Sequence, residues 1–278
     1  MPVPSFISAP HKEALAFLLG KKLVASKVFY KLIPELRARA FAVSGLAGAT
    51  ALQRIRDAVA AVPRGPEGMT WDQAKREIAD ELEQAHFSEE AAETRANVIL
   101  RVNTFQAWSA STYRVAMEDD DTTHLQYIHG DQAKVPTPSH LALDGIVLPK
   151  NDPFWKTHTG PWGHIGCVCY VRPMNPDLVE EERAKDATRA PEDRNVLEGA
   201  VRKHLNQGEI IRKGQRFNVA PPEDPMAFRW HPDDLRLPLD DVKARYDEDT
   251  WRAFEEWARS TLVGLKASVW GWLRGARL

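Results

Sequence analysis

Ser88-Glu89-Glu90 begins a proline-free run that carries Val98, Val102, Phe105, Ser109 and Thr112 on to Met117, and Glu118-Asp119-Asp120-Asp121 ends it. Ser88 offers a capping oxygen, and the two glutamates sit where a first helical turn favours negative charge. The acidic run is unfavourable at a helix C-terminus, so the spacing predicts one helix of about 45 Å at ~1.5 Å per residue. Upstream, Thr70-Trp71-Asp72-Gln73 reads as a capping box. Trp71, Ala74, Ile78, Leu82 and Ala85 then recur at helical spacing. Leu52, Ile55, Val59 and Val62 mark a shorter amphipathic helix closed by Pro63 and Gly65. Residues 1–118 are expected to form a helical region.

The texture changes after Asp119. Proline is absent between Pro66 and Pro136, and seven prolines then fall from Pro136 to Pro176. Gly145-Ile146-Val147-Leu148 and Cys169-Tyr170-Val171 look like short strands among turns, with the aromatics Phe154, Trp155 and Trp162 nearby. Trp155 and Trp162 are expected in a core. Residues 119–176 are therefore expected to form a small irregular α+β domain with few regular hydrogen bonds. Within residues 177–278, Glu180-Glu181-Glu182 and alternating charges predict an exposed helix or linker over 177–200. Gln215-Arg216-Phe217-Asn218-Val219 predicts a short strand, and Pro221-Pro222 and Pro225 a break. Helices are expected from Pro238-Leu239-Asp240-Asp241 and from Asp249-Thr250, the latter bearing Trp251, Phe254, Ala258 and Thr261. The aromatic end, Val269-Trp270-Gly271-Trp272-Leu273, is expected to dock on the chain's own core or in a partner. The fold class expected is α+β, mainly α.

Net charge is only -2, yet it is unevenly spread. Residues 1–66 carry ten Lys/Arg against three Asp/Glu, and residues 67–135 carry six against fourteen. A basic end suits an anionic partner, nucleic acid or an acidic protein surface; a solvated helix face is the plainer reading. No apolar run is long enough to span a bilayer, so no membrane partner is expected. Met1-Pro2-Val3-Pro4-Ser5 lacks the basic start and apolar stretch of a secretory signal. The expected compartment is a cytosol, where a structural disulfide would be reduced.

The two cysteines of the chain stand in His164-Ile165-Gly166-Cys167-Val168-Cys169, and five of the nine histidines fall between His124 and His164. Thiolate and imidazole together suit zinc in a tetrahedron. His140, His164, Cys167 and Cys169 form the expected ligand set. His158 is an alternative to His164, or a hydrogen-bond partner of a ligand. Asp131 is a candidate to orient His140, while His124 and His129 read as ordinary surface or capping residues. A catalytic metal would need an open position and a base such as Asp131, Asp152 or His158. A closed four-ligand set is instead structural, and a segment with so little regular structure benefits from a metal clip.

These pieces, in order, resemble the phage Mu F-like family of minor head and head-morphogenesis proteins. Leu100-Arg101-Val102-Asn103-Thr104 with Ala107 looks like the family's helix bearing Arg, Asn and a following Ala. Asp131 precedes His140-Leu141-Ala142-Leu143-Asp144-Gly145, similar to the family's H-x-x-L-x-G. Asn151-Asp152-Pro153-Phe154-Trp155 and Pro161 then lead to the closing H-x-x-C-x-C. The family's ending is typically H-P-N-C-R-C; here Pro, Asn and Arg are replaced while His164, Cys167 and Cys169 are kept. The resemblance is most specific over residues 95–173, looser over 20–94, and slight beyond 177. It implies a minor capsid protein, not an enzyme, near the portal vertex, acting in head assembly and in DNA packaging or ejection. The implied partners are portal protein, capsid proteins and packaged DNA; the implied location is the virion, after synthesis in the host cytoplasm. The alternative is a metal-dependent nuclease or toxin-like effector carried in the head, since relatives can carry enzymatic extensions.

Overall fold

The computed structural model describes residues 12–29, 32, 37, 40–46, 48–130, 136–160, 167–220, 243–244, 246–249 and 251–252. Its first part is helical. Helix α1 (Lys12–Gly20) leads into β1 (Lys22–Leu23), α2 (Ser26–Phe29) and β2 (Ala40–Phe41), with β1 and β2 paired in parallel. Helix α3 (Ala49–Ala61) runs into a 3-10 segment, Val62–Glu67, where proline prevents its continuation. Helix α4 (Trp71–Gln84) starts on the capping box read from the sequence. Gln73 N–H donates to Thr70 Oγ1 at 3.3 Å, and Thr70 N–H to Gln73 Oε1 at 2.8 Å. Helix α5 (Glu89–Glu118) is capped by Ser88, whose side chain accepts from Ala91 N–H. Its 30 residues match the sequence reading at both ends.

Helix α5 is the axis of the molecule. From Ile99 to Arg114 no residue is fully exposed, so the helix is covered all round and lacks a polar stripe. Leu100, Phe105, Ala107 and Ala110 join Phe17, Leu18, Leu52, Ile55, Ile78 and Leu82 in one core. One turn later, Tyr113 and Ala116 belong to a second core with Leu125, Tyr127, Leu143, Leu148, Trp155 and Val171. Not every basic residue of the N-terminal part faces a partner. Lys21 is 4% exposed, with its Nζ 3.3 Å from Gln106 Oε1 of α5 and over the Phe17 ring; burial lowers its pKa to about 7.

The second core wraps a three-stranded antiparallel sheet. Strand β3 (His124–Ile128) lies between β4 (Val147–Pro149) and β5 (Tyr170–Met174). Helices α6 (Pro138–Leu143) and α7 (Trp155–His158) fill the connections. The sequence signals the neighbourhoods of β4 and β5 but not β3, the central strand. Leu125, Gln126 and Tyr127 are all buried, so β3 shows no alternation to read. Regular pairing is thus richer here than the prolines imply.

Helix α8 (Pro176–Asp186) forms within the stretch expected as an exposed helix or linker; most of its residues are exposed, and Val179, Glu182 and Asp186 make its buried edge. Glu182 and Asp186 are buried, and their carboxylates hold Arg189 and the loop behind it. Asp186 accepts from the Asn195 and Val196 N–H groups, and Val196 bridges β4 at Val147. Helix α9 (Gly199–Asn206) then precedes a hairpin of β6 (Glu209–Arg212) and β7 (Gln215–Asn218). Lys213 (φ 50°) and Gly214 (φ 72°) make its two-residue turn, both in the left-handed region such a turn needs. The β7 strand is where the sequence placed it. Farther on, Trp251 is buried. The expectations at Pro221-Pro222, Pro225, Pro238–Asp241, Thr250, Phe254, Ala258, Thr261 and Val269–Leu273 lie outside the described residues. The fold is mainly helical α+β.

Candidate metal centre

Two chain segments bring His140, Cys167 and Cys169 together. Helix α6 carries His140; Pro138 at its first position already has the φ a helix needs and lacks a donor to leave unpaired. The Cys167-Val168-Cys169 tripeptide runs extended into β5, so alternate side chains face opposite ways. Cys167 and Cys169 pack in the second core, and Val168 packs in the helical core. The tripeptide is the seam between the two.

The fit to a metal is geometric. His140 Nδ1 lies 3.5 Å from Cys167 Sγ and 3.4 Å from Cys169 Sγ, and the three ligand atoms lie within 4.8 Å of one another. Zinc bonded to sulfur at ~2.3 Å and to nitrogen at ~2.0–2.1 Å in a tetrahedron separates those atoms by about 3.5 Å. All three residues are buried, His140 3% exposed and Cys169 0%.

Charge points the same way. A hydrogen bond with Cys169, aided by one with His140, holds the Cys167 thiol well below its ordinary pKa, against burial. Burial, then the hydrogen bond and charge of Cys167, push the Cys169 thiol up. The buried pair therefore carries one negative charge easily and a second only with a cation between them. Burial lowers the pKa of half-buried Arg101 on α5, and the charge of Cys167 opposes that shift. The donor set fits zinc, whose ligands are thiolate and neutral imidazole.

Two glycines let the seam close. A Cβ on Gly130 would stand 2.5 Å from Val168 O, and one on Gly160 would stand 2.3 Å from Cys169 O. Gly160 also has φ +67°, a conformation side chains resist. Opposite it, Ser109 Oγ of α5 lies 2.8 Å from both Thr159 O and Gly160 O, sharing its one proton between them.

The remaining candidates have other places. His158 Nε2 faces Val219 O at 2.9 Å, and its Nδ1 faces Thr157 Oγ1 at 2.8 Å and Phe154 O at 3.2 Å. Stacked on Phe154 at 4.0 Å, it ties α7 to the end of β7, and burial lowers its pKa to about 4. Asp152 pairs with Arg202 and accepts from Phe154 N–H. Trp155 is a core residue whose Nε1 donates to Pro149 O. His124 contacts Thr123 Oγ1 through Nδ1. His129, read as an ordinary surface or capping residue, has its Nδ1 3.3 Å from Cys169 Sγ; nothing in its sequence context signals this. His164, Asp131, Pro161 and Trp162 lie outside the described residues.

Comparison with known proteins gives two relatives. The chain is 28% identical over 188 residues to the "Putative capsid assembly protein F" of Escherichia phage Mu, covering 62% of this chain and 42% of that protein. It is 28% identical over 200 residues to the Mu-like prophage FluMu F protein of Haemophilus influenzae, covering 66% of this chain and 46% of that one. The chain spans less than half the length of these relatives. No family model matches, and no solved structure matches. No helix among the described residues is long and apolar enough to cross a membrane.

Proposed function

We propose, for a chain that is a distant relative of the Mu F proteins, that it is a minor head component of a tailed phage and acts in head assembly. The observation that carries this reading is the similarity to a protein named for capsid assembly. The ordered pieces from Arg101 to Cys169 support it. Its neighbours on this reading are portal and capsid proteins at the portal vertex, with packaged DNA as a further contact in packaging or ejection. Its place is the virion, after synthesis in the host cytoplasm. Residues 1–118 dock, 119–176 carry the His/Cys centre, and 177–278 link and extend it. Ten basic residues against three acidic ones in 1–66 suit an anionic neighbour.

The centre fixes shape and performs no reaction. His140, Cys167 and Cys169 would hold zinc, with His164 as the fourth ligand, and the ion would supply the cross-link that keeps the sheet region closed. Burial of all three described ligands supports a structural role. Deleting the gene from its phage and restoring it with wild type, His140→Ala or Cys167→Ser tests the reading. Wild type should restore intact heads, and both variants should leave defective particles. Normal heads without the gene would overturn the assembly role. Intact heads with both variants, or zinc far below one per folded chain, would overturn the metal clip.

A further inference from the structure

The turn after β3 closes around the sulfur of Cys169. Tyr127 and Gly130 flank this sulfur, and both oppose the burial that raises its pKa. His129, between them, places Nδ1 3.3 Å from it. A neutral thiol is a weak acceptor, whereas a thiolate takes hydrogen bonds as a charged group does. The His129 ring meets, at 3.3 Å, a sulfur that is 0% exposed. The missing Cβ of Gly130 is what lets the turn come so near Val168.

His129 stands outside the three-ligand set formed by His140, Cys167 and Cys169. Its own backbone is fixed from the ligand side: His129 N–H donates to Asp144 Oδ1 at 2.7 Å, and Asp144 directly follows the helix that carries His140. The ring is thus held against Cys169 by the same element that supplies the imidazole ligand.

We propose that His129 is a positioning residue of the metal centre, donating from Nδ1–H to the Cys169 thiolate and holding that sulfur on the metal. The role rests on the structural-zinc reading above. It makes Nε2 the acceptor nitrogen of this ring. It also makes Cys169 the more firmly held of the two sulfurs.

Cobalt(II) binding to the full chain tests it, followed by thiolate-to-metal charge transfer, by the d–d bands and by competition with a chelator. Wild type should take up one cobalt with tetrahedral bands. His129→Leu should keep that stoichiometry and band pattern while losing about 10- to 100-fold in affinity. Its charge-transfer band should move to lower energy, because the sulfur lone pair has lost a donor. His129→Asn, which returns an N–H near the same place, should recover most of both. Tyr127→Phe should shift the band in the same direction and reads the effect if His129→Leu fails to fold. Wild-type affinity and band position in His129→Leu would overturn the role, and so would the loss of one ligand's contribution to the d–d bands. Failure of wild type to bind cobalt or zinc would instead overturn the zinc reading beneath it.

Discussion

The two cores that succeed one another along α5 are held in different ways. The helical one is apolar and redundant: Leu18, Leu52, Ile55, Ile78, Leu82 and Leu100 are each about fully buried, and removing any one leaves the rest in contact. The sheet core depends on single points: the left-handed glycines Gly145 and Gly160, one shared serine hydroxyl, buried histidines and a pair of sulfurs. Apolar packing degrades gradually, because each side chain contributes a few kcal/mol. A buried polar site fails abruptly, because each unmatched group keeps its desolvation cost.

Substitutions that strike one side only break or sharpen this contrast. Gly160→Ala should do the most harm. It sets a methyl against Cys169 O in a backbone conformation alanine resists, costing more than about 4 kcal/mol and lowering metal content. A melting temperature within a degree or two of wild type would show that the seam is not tight. Leu100→Ala should cost about 3 kcal/mol in denaturant unfolding while metal stoichiometry stays intact. Loss of metal in that variant would mean that the two cores are not separable.

Acid should act on the sheet side. His158 is held neutral with its pKa at about 4, against an ordinary 6.5, so the unfolded chain takes up the proton first. Stability from this group is full above about pH 6.5 and is lost as pH falls toward 4, by up to about 3 kcal/mol. His158→Gln should flatten that part of the pH–stability curve; an unchanged slope would place the acid sensitivity elsewhere. Smallest of all, Thr70→Ala should remove the cap of α4 for about 1 kcal/mol, read as a small shift in denaturant midpoint with no change in metal content.

How far each side was legible follows from the same contrast. Capping residues and helical spacing are local, so Thr70, Ser88 and the ends of α4 and α5 could be read directly. Strand β3 could not, because its partners Val147–Pro149 and Tyr170–Met174 lie far along the chain and its burial on both faces erases alternation. The charges over 177–200 mark an exposed helix, and most of α8 is exposed. That Glu182 and Asp186 turn inward onto Arg189 and Asn195 depends on partners farther along the chain and could not be read. That His140, Cys167 and Cys169 cluster was legible because residue type itself suggests a shared site. His129, Gly130 and Gly160 were not, since a histidine or glycine shows its role only when the neighbouring sulfur or carbonyl is in place.

Hydrogen exchange of the full chain, metal-loaded and then stripped by a chelator, measures the dependence most directly. Protection should fall over 124–128, 138–149 and 167–174 on stripping, while α3 and α4 keep theirs. Equal protection with and without metal across the sheet region would contradict the metal clip.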